Sequence, residues 1–254
     1  MPKTNPQKSQ KFDQYNDPSH NYLHYWQGRD YEDAAERMAI ARLLKGKHFR
    51  HAIDVGGGFG RLCIFLEKYA DKVTLTDPSQ QQLDIGKEYL RDHPEIDRKL
   101  MPANDLKFAD SSVDLITIVR ILHHLPDPSA EFKEIARVLA PDGYFVLEFA
   151  NYAHGRNRLK HILKAKRFPA EPVDIRSKDS NIPFVNHNPK TIIKQLAHAG
   201  LKVEKVLSVS NLRSPGLKKV MPMGVMLTIE KVLQSTLART YFGPSVFFLV
   251  RKAK

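Results

Sequence analysis

Cysteine is almost missing from this 254-residue sequence: Cys63 is the only one. No disulfide can close within the chain, which excludes a stapled secreted scaffold and points to a reducing, cytoplasmic setting. Long apolar runs are missing too. The best two, VMPMGVMLTI and PSVFFLV, fall well short of the ~18 residues a spanning helix requires. The opening MPKTNPQKSQKF lacks the apolar stretch of a signal peptide and reads as a mobile arm. No repeat or low-complexity tract appears. No His/Cys cluster has metal-ligand spacing, so no metal is expected.

Acid is scarce in one part only. Residues 1–150 hold 20 Lys/Arg against 23 Asp/Glu, whereas residues 151–254 hold 20 against 5. The entire net charge of +12 therefore sits in the last two-fifths of the chain. Such a field suits an acidic partner, anionic lipid or RNA, unless it is ordinary solvated surface. The basic stretch 154–167 concentrates it in Arg156, Arg158, Lys160, Lys164, Lys166 and Arg167. Leu159, Ile162 and Leu163 form an apolar patch there, and the default for such a helix is to pack that side and solvate the other. The Met-rich run Val220–Ile229 either lines a greasy pocket or packs.

With 42% hydrophobic residues, the chain can bury one α/β domain. Tyr31–Leu44 has helical spacing. Strands are predicted at 51–55, 73–77, 98–101, 113–119, 143–150, 201–210 and 245–252. Helices fall between them at 61–70, from Ser79 to about Arg91, from Asp127–Pro128 to Leu139, and from Asn188–Pro189 to Gly200. This alternation predicts a Rossmann-like, doubly wound, mostly parallel sheet covered on both faces. Residues 1–45 form an N-terminal arm and helix. Residues 46–254 form the main domain, with a small helical, cap-like insertion at about 152–187.

The sharpest motif is Asp54-Val-Gly-Gly-Gly-Phe-Gly60, between the first strand and the next helix. Glycines at 56, 58 and 60 permit a tight turn and close ligand approach, at the strand ends where open α/β sheets bind ligands. A nicotinamide loop would place its third glycine at 61, which is Arg. The G-x-G-x-G spacing suits a nucleoside-methionine ligand better, with Asp54 near the methionine moiety. Asp77 ends the second strand, where a carboxylate accepts from both ribose hydroxyls or, more blandly, complements a helix dipole.

Residues of about 50 to 150 resemble the class I S-adenosylmethionine-dependent methyltransferases, particularly the methyltransferase type 11 branch. The resemblance rests on DVGGGFGRL, LTDPS, DLKFADSSVDLI, VRILHHLPDP and EIARVLAPDGYFVLE in order. It implies a sheet of about seven strands whose last, SVFFLVRK, is antiparallel. It also implies S-adenosylmethionine as cofactor, lined by Gly56, Gly58 and Gly60, with Asp77 and Pro78 at the ribose. Val119 and Arg120 would lie at the methionine end. The adenine strip is altered: Pro102 stands where the family often has an acid, leaving Ala103, Asn104 or Asp105 for that contact. Residue 107 is Lys rather than the usual Pro.

The implied function is methyl transfer to a small-molecule acceptor, lipid-like or acidic. Alternatives are an RNA methyltransferase that uses the basic half, or a module that binds the cofactor without catalysis. The catalytic residue stays open, because the His123-His124 pair is common in the family as a structural feature. Cys63 is placed for packing, which argues against cysteine-dependent pyrimidine methylation. The aromatic run from Tyr22 to Glu32 is either a lid or an anchor, and Arg29 is a candidate for the cofactor carboxylate. No stable protein partner is implied.

Overall fold

The computed structural model describes Tyr15, residues 22–176 and residues 183–253. Most of the expected mobile arm, and part of the expected insertion, lie outside these residues. After a short helix α1 (Tyr22–Tyr25), α2 (Asp30–Leu43) leads into β1 (Phe49–Val55). Then follow α3 (Cys63–Leu66), β2 (Ala70–Asp77), α4 (Gln80–Tyr89), β3 (Asp97–Leu100), β4 (Val113–Ile118), α5 (Ser129–Val138) and β5 (Leu139–Ala150). The remainder comprises α6 (Gly155–Leu163), the short strands β6 (Val173–Asp174) and β7 (Val185–Asn186), α7 (Pro189–His198) and β8 (Leu201–Val209). It ends with α8 (Pro215–Val220), α9 (Met223–Thr236) and β9 (Ser245–Lys252).

The main sheet has seven strands in the order β3-β2-β1-β4-β5-β9-β8. The strands β1 to β5 pair in parallel, and β9 runs antiparallel between β5 and β8. This is the Rossmann-like sheet expected, with its antiparallel last strand. Strand alternation splits the core into two layers. Ala52, Leu115, Val146 and Phe247 face α2 and α9, while Ile53, Ile116, Leu147 and Phe248 face α5 and α7.

Strand order reverses between β1 and β4, so the loops leaving them diverge and open a crevice at their carboxyl ends. One local expectation needs revision. The helix expected over 61–70 is only one turn, because the chain enters β2 at Ala70 and the preceding residues form turns. Ser79 caps α4 as expected, accepting from the Gln82 N–H.

Helix α9 packs against its usual polarity. Met226, Glu230 and Gln234, four residues apart, face the core, while Val225 and Val232 face outward. Fixed partners hold its polar side inside. Glu230 accepts from the Tyr31 hydroxyl and the Ser210 N–H, both at 2.8 Å, and Gln234 donates to the Ala35 carbonyl at 2.9 Å. No described helix is long and apolar enough to cross a membrane.

Candidate cofactor and acceptor site

A cavity of about 460 Å³ occupies the crevice beyond β1, β2 and β4. Of the residues singled out in the sequence, Asp54, Gly56, Gly58, Asp77, Pro78, Ala103, Asn104, Val119 and Arg120 line it. Gly60 and Asp105 do not. A Cβ on Gly60 would meet Leu90 and Leu75, so that glycine serves loop packing against α4. The Asp105 carboxylate turns to the Lys107 ammonium, 2.5 Å away.

The glycine loop has a division of labour. A Cβ on Gly57 would stand 2.4 Å from Asp54 Oδ2, so its bare backbone is what lets the Asp54 carboxylate lie beneath the loop. Gly58, with φ +60°, is the loop glycine whose Cβ would meet no clash, only ordinary contact with Tyr22 and Gln82 at 3.7 and 3.8 Å. Its N–H donates to Asp77 Oδ2 at 2.8 Å, and the Ser79 N–H donates to Asp77 Oδ1 at 2.8 Å. The carboxylate at the end of β2 is thereby fixed in orientation.

Asp54 is fully enclosed. Thr117, its register partner on β4, donates to its Oδ1 at 2.6 Å. Burial nevertheless pushes its carboxyl up to about 6, against the help of that hydroxyl. The Cys63 thiol points at the other oxygen from 3.9 Å, so this cysteine is part of the packing.

The arm closes one side. Trp26 lies against the guanidinium of Arg61 at 3.7 Å and that of Arg120 at 4.8 Å. Between those two cations sits Glu36, 1% exposed, paired with Arg61 at 2.7 Å and with Arg120 at 2.6 Å. Arg61 also pairs with Asp33. Arg120 takes the left-handed backbone, φ +61°, a costly conformation for a residue with a side chain. It is held by Glu148, which accepts its N–H at 2.8 Å. Burial works against the charge of Arg120, but Glu36 and Glu148 beside it raise its pKa. Trp26 thus both anchors the arm and walls the cavity. Arg29 stacks on Tyr25 at 3.9 Å and lines a different cavity.

That second cavity, of about 900 Å³, adjoins the first, and Tyr15, Tyr22, Arg120 and His124 line both. At this shared wall the Tyr15 hydroxyl lies 2.7 Å from His124 Nε2, while His124 Nδ1 lies 3.0 Å from the Pro183 carbonyl. A carbonyl only accepts, so Nδ1 carries a proton, and in the neutral ring Nε2 is then free of one and able to accept from Tyr15. His123 lies against His124 and Phe184. Burial, then His124 and Arg120, hold its pKa well below the ordinary value.

Three buried polar atoms on residues lining the first cavity have no partner among the described residues: Trp26 Nε1, Gln82 Oε1 and Glu131 Oε2. Sequence reasoning did not single out Gln82 or Glu131. Gln82 sits four residues beyond the Asp77-Pro78 motif on α4, a spacing that could have flagged it. Unsatisfied buried groups carry a desolvation cost, and these three suit a polar ligand with donors and acceptors. The oriented Asp77 and these atoms together fit a nucleoside bearing an amino-acid tail. Apart from them, Glu67, His93 and Glu95 place ligand atoms within 4.8 Å of one another, but none of the three lines either cavity.

The chain is similar in sequence and fold to known methyltransferases. A family profile described as a methyltransferase domain matches residues 53–147. A ubiquinone/menaquinone biosynthesis C-methyltransferase of Rubrivivax gelatinosus is 33% identical over 118 residues, 46% of each chain. The chain spans about half the length of the curated relatives it matches. Among solved structures, an S-adenosylmethionine-dependent methyltransferase of Listeria monocytogenes, described as putative, aligns with a TM-score of 0.62. It is 15% identical, and the match covers 88% of this chain and 99% of the other. The [4+2]-cyclase SpnF aligns at 0.59 with 17% identity, covering 87% and 81%, so this fold also carries other chemistry. Residues 53–147 thus match a methyltransferase domain, and the sheet around them has the fold of the solved S-adenosylmethionine-dependent methyltransferases.

Proposed function

We propose that this protein is a cytoplasmic enzyme that transfers a methyl group from S-adenosylmethionine to a small-molecule acceptor held in the second cavity. The observation that carries this reading is the pair of adjoining cavities with Tyr15, Tyr22, Arg120 and His124 as their common wall. Asp77 would hold the ribose hydroxyls, Ala103 and Asn104 would flank adenine, and Asp54 would face the methionine end. When bound, the cofactor supplies an electrophilic methyl on a sulfonium. The remaining work is alignment and exclusion of water. Tyr22 and Trp26 cover the site, and Arg120 and Glu148 fix the wall between the two ligands. The Tyr15–His124 pair offers a proton acceptor at that wall for an acceptor that must lose a proton.

A lipid-like acceptor is supported by the quinone named for the Rubrivivax relative. Incubation with methyl-labelled cofactor and fractionated cell extract tests the reading. Label is expected in a small organic-soluble or acidic molecule, and label in RNA alone would contradict it. In the same assay, His124→Gln, which keeps a side chain able to accept from Tyr15, separates a proton-accepting role from a positioning one. A rate lost at neutral pH and regained on raising it assigns proton removal to His124. A rate unchanged at every pH denies it that role.

A further inference from the structure

The basic helix departs from the default. Among the described residues nothing covers the apolar side of α6: Leu159, Ile162 and Leu163 are 58%, 74% and 76% exposed, and no residue of the helix is fully buried. Around them stand Arg156, Lys160, Lys164, Lys166 and Arg167, all exposed, with Arg158 half-buried. None of these six cations makes an ion pair among the described residues. No acid occurs from 154 to 170.

The position of this surface matters as much as its composition. The residue before α6, His154, lines the second cavity, and so do Arg213, Pro215 and Lys218 at the start of α8. Both helices therefore begin on the rim of one cavity. The end of α8 and the start of α9 repeat the pattern, with exposed Lys219 followed by Val220, 79% exposed, and Met223, 42% exposed.

We infer that α6 and the end of α8 form a docking surface for an anionic lipid bilayer, set around the mouth of the second cavity. Charge complementarity selects an anionic partner, since unpaired cations near a negative leaflet each add attraction. The exposed apolar side chains select a bilayer over a nucleic acid. Phosphates have no use for Ile162, Leu163 or Val220, whereas an interfacial helix buries such residues at the headgroup boundary. Docking there would let an acceptor pass from the lipid into the second cavity without crossing water. The purpose of the surface rests on the proposed acceptor cavity, but the docking itself does not.

The test uses the full chain, vesicles of phosphatidylcholine with and without phosphatidylglycerol, and a labelled single-stranded RNA. Co-sedimentation is expected with the anionic vesicles only and should weaken steeply with salt. Ile162→Ser with Leu163→Ser should lower vesicle affinity roughly tenfold. Lys160→Glu with Lys164→Glu should reduce it further, by roughly a hundredfold or more. Titration of S-adenosylmethionine into each variant should give the affinity of the unmodified protein, which shows that the variants fold. No vesicle binding at low salt would overturn the inference. So would RNA binding tighter than vesicle binding and indifferent to Ile162 and Leu163. Failure of the unmodified protein to bind the cofactor is a separate result, and it tells against the methyltransferase reading alone.

Discussion

Replacing Asp77 with Ala is expected to weaken S-adenosylmethionine binding by roughly a hundredfold or more. Hydrogen bonds to a charged acceptor contribute about 1.5–3 kcal/mol each, and two ribose hydroxyls would lose theirs. The loss reaches the loop as well, because the Gly58 and Ser79 N–H groups both donate to this carboxylate. Asn at 77 should recover part of the affinity, since its single oxygen can accept from only one side of the present arrangement. Isothermal titration of both variants checks this. An affinity unchanged in Asp77→Ala would remove the residue from the site.

A comparably large effect is expected from Glu36→Ala, through stability. Glu36 is buried between Arg61 and Arg120, and its removal leaves two cations with reduced compensation. Breaking a buried pair by deleting one partner costs about 3–5 kcal/mol. The side chain that should respond is Trp26, because both guanidiniums stack on it and their mutual repulsion is no longer balanced. Trp26 is the only tryptophan, so its fluorescence reports this position alone. Denaturant unfolding should shift to lower concentration, and the emission should move to the red as the ring meets water. Unchanged stability and emission would show that the arm is held by other contacts.

How far the sequence could be read depends on whether the information is local. The run 54–60, Asp77 and the Ser79 cap lie within single strand–loop–helix units, and their spacing dictates their placement. The same holds for strands β1, β2, β4 and β5, which are short apolar runs because both of their faces are covered. Gly60 shows the limit of this reasoning. Its positive φ suits the loop, but spacing alone does not say whether the missing side chain makes room for a ligand or for Leu90.

What escaped depends on distant parts meeting. Glu36 lies on α2, Arg61 after the glycine loop and Arg120 after β4, so nothing in their neighbourhoods reveals a shared buried charge. Glu131 reads as an ordinary first-turn acid of α5, yet one of its oxygens is left without a partner beside the cavity. Helix α9 hides its polarity for the same reason. Glu230 and Gln234 face inward because Tyr31, Ser210 and Ala35 supply partners from other elements. Helix α6 misled in the other direction: its apolar residues suggested a packed face, and no element among the described residues covers them.

The central claim is that the cavity above β1, β2 and β4 is built for S-adenosylmethionine. Calorimetric titration of the unmodified protein with S-adenosylmethionine, its demethylated product and NAD tests it most directly. Saturable micromolar binding of the first two, with none of NAD, is the predicted result. Binding of NAD without binding of S-adenosylmethionine would contradict it.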